Sequence, residues 1–180
     1  MGVAQTLIAL VLGMAAPTGA LSSTTDGAAL QAAAASCAGV TGTAGSAPSR
    51  LEAMTCGINV VRHAFGLGPV HPSGRLNRSA LLKANAVRRC GFSHTPCGMA
   101  FSKTFRAAGY VPARAFGENL AWGEGRLGSA LSTLGAWLAS PPHRANLLAA
   151  RWQDEGIAVL RGSMFGRSNV SLWVLQLGLR

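Results

Sequence analysis

The sequence predicts an α+β domain in which helices pack on both faces of one sheet. Three observations carry that expectation. Near the C-terminus Val170, Leu172 and Val174 alternate with Ser171, Trp173 and Leu175, so a strand over 169–177 is largely apolar on both sides and needs a layer above and below it. A second strand over 156–160 precedes it, and the turn at 162–168 makes the two an antiparallel hairpin. Upstream, apolar residues recur at three- and four-residue steps, which supplies the covering helices. A length of 180 residues suits one such domain rather than two.

In chain order, residues 7–16 form an apolar run too short to cross a bilayer as a helix, which takes about 20 residues. Small residues follow at 17–20, so 1–20 reads as a secretory signal cleaved after Ala20 or a few residues beyond; only the α-amino group supplies positive charge before the run, which leaves an uncleaved anchor as the alternative. Residues 21–48 are Ala, Gly, Ser and Thr with almost no large apolar side chain, and read as a linker or loosely attached arm tethered at Cys37. The folded domain is expected over 49–180. Ser49, Arg50, Leu51 and Glu52 have the S-x-x-E form of a helix start, and Leu51, Met54, Ile58, Val61 and Phe65 make the apolar stripe of the helix that follows. A second helix is predicted over 76–90, with Leu76, Ala80, Ala84 and Val87 inward and Arg75, Arg78, Lys83, Arg88 and Arg89 on or near the solvent side. A short third helix over 101–108 stops at Gly109, and 117–125 reads as a strand or bend. The last helix, over 129–140, places Leu131, Leu134 and Leu138 on one face with Trp137 at its border, and Pro141 and Pro142 close it.

Composition bounds the compartment and the partners. Sixteen Lys and Arg against six Asp and Glu leave +10, which draws the protein to anionic surfaces. The basic residues are scattered along the chain with few interleaved aromatics, so specific nucleic-acid recognition ranks last among the partners. A hydrophobic fraction of 49% excludes an intrinsically disordered chain. Four cysteines permit three pairings, and proximity favours Cys37 with Cys56 and Cys90 with Cys97 as disulfides formed in an oxidising compartment. The second bridge would hold His94 in a constrained bend. No later segment is long and apolar enough to span a membrane, and a soluble or peripherally attached monomer is expected.

Three segments gather chemistry. They are Phe92-Ser93-His94, Gly117-Glu118-Asn119-Leu120-Ala121-Trp122-Gly123, and Trp137-Leu138-Ala139-Ser140-Pro141-Pro142-His143-Arg144-Ala145-Asn146-Leu147-Leu148. Together with Asn59-Val60-Val61-Arg62 and Glu155-Gly156-Ile157, and in this order, they resemble the CAP superfamily (cysteine-rich secretory proteins, antigen 5 and pathogenesis-related 1), specifically its bacterial SCP-like members. The resemblance covers 54–178. It implies a three-layer α-β-α sandwich with a central antiparallel sheet and a cleft lined by two histidines and two acids. Residue by residue, the histidines match His94 and His143, and the acid of the Gly-Glu-Asn motif matches Glu118. The second acid of eukaryotic members falls at Ser140, leaving three cleft members, with Glu124, Asp154 or Glu155 as substitutes in space. Asn119, Ser140, Arg144 and Asn146 are the supporting residues.

Two neutral imidazoles and a carboxylate can bind a divalent metal such as zinc through His94 and His143 with Glu118, or form a hydrogen-bonded cluster in which Glu118 fixes a histidine tautomer. The chain has no His-Glu-x-x-His, no Gly-x-Ser-x-Gly, and no cysteine left as a nucleophile once both disulfides form. The leading expectation is therefore a secreted, non-catalytic protein of the cell envelope that binds an envelope component, lipid or protein. The alternative is a zinc hydrolase or peptidase using the same cleft. His63 and His71 read as ordinary surface residues, and Trp122, Trp137, Trp152 and Trp173 as core fillers.

Overall fold

The computed structural model describes residues 24–180, so the expected signal at 1–20 lies outside the described residues. Among these residues six α-helices and four strands follow one another: α1 (Thr24–Ser36), α2 (Ala47–Ala64), β1 (His71–Pro72), α3 (Gly74–Cys90), α4 (Lys103–Ala107), β2 (Ala115–Glu124), α5 (Ala130–Ala139), α6 (Pro141–Leu147), β3 (Asp154–Met164) and β4 (Arg167–Leu179). The sheet runs β1-β3-β4-β2. Its three long strands are antiparallel, while the two-residue β1 adds a parallel edge at His71↔Asp154, so the sheet is mixed rather than wholly antiparallel.

The doubly apolar β4 sits in the middle, as its sequence requires. One face, with Trp173, Leu175 and Leu177, packs with Ile157 of β3 against Met54, Ile58 and Val61 of α2 and Leu134, Trp137 and Leu138 of α5. The other, with Val170, Leu172 and Val174, packs against Ala80, Ala84 and Val87 of α3. Leu76, Phe105 and Tyr110 extend that second layer past α4. The result is helices, sheet, helices, as alternation in a buried strand demands.

Several element boundaries differ from the sequence expectations, each for a physical reason. Residues 24–36 are a helix rather than a linker: alanine is the best helix former, and Ala29 and Ala33, spaced by four, are small enough to bury flush in the core without any large side chain. Cys37 and Val40 are buried behind them, and the Cys37–Cys56 disulfide ties this arm to α2. Helix α2 starts at Ala47, before the expected Ser49, because Ser46 caps it by accepting from the Ser49 N–H and Pro48 is preset for a first helical turn. Pro141 and Pro142 end α5 but also open α6, where their missing N–H groups are harmless. Trp137 is fully buried, its indole N–H donating to the Leu120 carbonyl, rather than bordering the face. Both disulfides form as proximity predicts.

Candidate functional site

Among the described residues strand β2 pairs with β4 alone and so lies at the edge of the sheet. Glu118 and Asn119 are neighbours in it, and their side chains leave opposite faces. Glu118 turns into the α3 layer and Asn119 toward α6, and each takes hold of the segment that carries one of the two histidines.

His94 lies in the loop closed by the Cys90–Cys97 disulfide, which shortens the conformational menu of that loop. Its Nδ1 is 2.8 Å from Glu118 Oε1. A carboxylate anion only accepts, so Nδ1 carries the proton and Nε2 is the ring nitrogen left for solvent or ligand. The His94 side chain is 22% exposed while that of Glu118 is sealed, so the imidazole is the accessible member of the pair.

Lys83 is placed on the solvent side by its charge in the sequence reading, and the structure corrects this: its side chain is wholly buried. The ammonium is 3.4 Å from Glu118 Oε1 and donates to the His94 carbonyl oxygen. Its position lies in the same helical stripe as Leu76, Ala80 and Val87, a spacing that points inward whatever the charge. Gln176, also missed, stands directly across from Glu118 in the β2–β4 register. Its Nε2 donates to Glu118 Oε2 at 2.8 Å and lies 3.2 Å from Thr104 Oγ1. The Glu118 carboxylate therefore has both oxygens engaged, by His94 and Lys83 on one and by Gln176 on the other.

His143 is half-buried on α6, a two-turn helix held by hydrogen bonds to its own backbone. Asn119 Nδ2 donates to the His143 carbonyl at 3.0 Å, and Asn146 Nδ2 donates to Asn119 Oδ1 at 3.0 Å. The Trp152 indole donates to the Asn146 carbonyl, and the buried Arg62 guanidinium to those of Leu147 and Ala149. Arg144 pairs with Asp26 of α1 at 3.1 Å and lies over the Phe65 ring. Gly117 is required here, because a Cβ on it would come within 2.5 Å of Asn146 Oδ1 and 2.8 Å of the Trp152 ring. In the run Gly-Glu-Asn, the Gly thus admits Asn146, the Glu holds His94, and the Asn holds His143.

The His143 ring has Ser140 Oγ at 2.9 Å from Nδ1. Burial, and secondarily the nearby His94, pulls its pKa down to about 4, so it is neutral at pH 7. Ser140, at the position of the missing second acid, is thus the ring's hydrogen-bond partner. None of the three proposed substitutes joins the cluster, and this too is a correction. Glu124 is 3.8 Å from Arg167, Asp154 accepts from the Tyr110 hydroxyl, and Glu155 accepts from Thr55 at 2.6 Å. Burial raises Glu155 to a pKa of about 7. His63 and His71 are exposed, as expected, and Trp137, Trp152 and Trp173 are buried core.

The donor set does not fit a zinc centre of three protein ligands. Among the described residues no three His, Cys, Asp or Glu are grouped so as to hold a metal ion. The carboxylate that would complete such a set is already committed to an ammonium, an imidazole and an amide. Nor is His143 an effective proton acceptor for chemistry at neutral pH, since a base with a pKa of about 4 has little driving force to take a proton.

Residues 57–176 match the sequence profile of the cysteine-rich secretory protein family, also called CAP. The chain belongs to this family. An outer surface protein of Borrelia burgdorferi superposes with a TM-score of 0.62 at 20% identity, over 73% of this chain and 92% of its own. An extracellular SCP-domain protein of Bacillus anthracis superposes with a TM-score of 0.57 at 16% identity, over 76% of this chain and 45% of its own. A cysteine-rich secretory protein of Staphylococcus aureus gives 0.58 at 17%, over 75% and 40%. At these identities the likeness is one of fold, and the chain spans less than half the length of the latter two. No curated protein matches the chain by sequence. Within the CAP frame, Asn59 and Arg62 of the first motif are braces: Asn59 exchanges two hydrogen bonds with the backbone of Val70, and Arg62 pins the end of α6.

Proposed function

We propose that the protein is an exported bacterial CAP domain that binds an envelope component at the surface formed by His94 and His143, without performing chemistry on it. The observation that carries this reading is the state of Glu118. A general base or metal-ligating carboxylate needs a free oxygen, and here both are taken by groups the fold has buried with it. What remains toward the surface is a pair of partly exposed imidazoles held in fixed orientation, one with Nε2 free as an acceptor and one neutral through burial. Such a pair suits hydrogen bonding to a ligand's hydroxyl, carbonyl or phosphate groups. Export is supported by the two disulfides, and by the surface and extracellular character named for two of the structural neighbours.

The test is capture of lipid from bacterial envelope extracts, read by mass spectrometry, with His94→Ala/His143→Ala as the comparison. Loss of a captured species in the variant is expected, and identical capture by both proteins would overturn the reading. Calorimetric titration with zinc addresses the hydrolase alternative: micromolar binding that disappears in Glu118→Gln would favour a metal centre and count against the binding reading.

A further inference from the structure

The charge of the protein is less scattered in space than in sequence. Helix α3 divides cleanly: Leu76, Ser79, Ala80, Lys83, Ala84, Ala86 and Val87 are buried, and Arg75, Arg78, Leu81, Leu82, Arg88 and Arg89 are exposed. At 100° per residue the exposed six fall within one arc, with only Asn85 among them. The arc is about 21 Å long from Arg75 to Arg89 at 1.5 Å per residue. Its two leucines, midway along the helix and toward either flank of the arc, are 46% and 40% exposed, large for aliphatic side chains among charged ones. No Asp or Glu occurs anywhere between Glu52 and Glu118, so nothing on α3, on the adjoining loops or on the neighbouring α4 neutralises it. Helix α4, which packs against α3, adds the exposed Lys103 and Arg106.

We propose that this outer face of α3 docks the protein on an anionic phospholipid bilayer, with Arg75, Arg78, Arg88 and Arg89 against headgroup phosphates and Leu81 and Leu82 entering the headgroup–acyl boundary. A surface built only to attract a soluble polyanion needs the arginines but gains nothing from two exposed leucines between them. A lipid surface uses both, because apolar burial and headgroup attraction add. The site is separate from the cleft, since these side chains lie on the outer face of α3, away from the sheet that carries Glu118, and it stands whether or not the cleft binds anything.

Each Arg held at an anionic bilayer strengthens partitioning about fivefold. The experiment is co-sedimentation of the full protein with vesicles of phosphatidylglycerol and phosphatidylcholine, and with vesicles of phosphatidylcholine alone. Arg75→Gln/Arg78→Gln/Arg88→Gln/Arg89→Gln is compared with Arg114→Gln/Arg126→Gln/Arg151→Gln/Arg161→Gln, which removes the same net charge from exposed positions elsewhere. Circular dichroism is the check that both are folded. The proposal expects binding to the anionic vesicles only, a loss of roughly two to three orders of magnitude in the α3 variant, and a loss below tenfold in the control. Leu81→Ser/Leu82→Ser should weaken the residual binding that persists at high salt. Equal losses in the two quadruple variants would make the effect one of net charge and overturn the proposal. So would binding to DNA or polyphosphate with no binding to vesicles.

Discussion

Replacing Lys83 with Met keeps much of the side chain's length and removes its charge, leaving the Glu118 carboxylate inside the fold with His94 and Gln176 as its donors. Both side chains of the Lys83–Glu118 pair are 0% exposed, so water cannot take the place of the ammonium. Breaking a buried pair from one side costs about 3–5 kcal/mol, and because two donors stay on the carboxylate the lower end, about 3 kcal/mol, is expected here. For a chain of this size each kcal/mol moves Tm by roughly 2–4 °C, so the midpoint should fall by roughly 6–12 °C. Glu118→Gln leaves the ammonium with no counter-charge, only the His94 carbonyl, the Phe101 ring and an amide oxygen around it, and should lose a similar amount. The double variant removes both charges and should lose less than the sum, with a coupling of about 1–3 kcal/mol. Thermal and urea unfolding followed by circular dichroism, with the disulfides intact, measures all four proteins. A loss below about 0.5 kcal/mol for Lys83→Met, the range of ordinary surface substitutions, would refute the buried pair, and strict additivity would refute the coupling.

Two titratable groups whose pKa values are shifted by burial should give opposite pH slopes. The folded protein holds His143 near 4, below its ordinary 6.5, so the unfolded chain binds the extra proton and this group's contribution is present above pH 6.5 and lost as the pH falls toward 4. Glu155 is raised from 4.5 to about 7, so its contribution is present below 4.5 and lost as the pH rises through 7. Stability against pH should therefore tilt downward with rising pH in His143→Gln and upward in Glu155→Gln between pH 4.5 and 6.5, and the same slope in both would contradict the assignment. Gly117→Ala forces a methyl group against Asn146 and Trp152 and should destabilise by about 1–3 kcal/mol in urea unfolding, with the His143 ring resonances shifted by NMR. Cys37→Ala/Cys56→Ala should cost about 2–4 kcal/mol and make the 37–46 segment sensitive to protease while α2 stays protected, whereas an unchanged digestion pattern would mean the bridge does not hold α1.

The legible part of the site was the part written locally. His94, Glu118 and His143 stand in short runs whose order identifies the family, and the 19- and 7-residue separations of the cysteine pairs made their partners a matter of proximity. What sequence reasoning missed has a common cause. Lys83 was placed by its charge, yet its helical spacing put it inward, and only the presence of Glu118 on the facing strand makes a buried ammonium tolerable. Gln176 has no local signal, because its role depends on register: one residue's slip would turn it to the other face. The arm at 24–36 has few large apolar residues, but alanines at four-residue spacing are enough to seat a helix against α2 and α5.

By itself, then, the sequence determined the layers: a strand apolar on both sides cannot be stable without cover on each, and the amphipathic helices that cover it carry their own periodicity. It also determined the net charge of +10, but not its placement. The tertiary structure decided how the charge is spent. It sealed one lysine against the carboxylate of the cleft and left four arginines of the same helix facing outward, because a helix of 3.6 residues per turn sends neighbours in sequence to opposite environments.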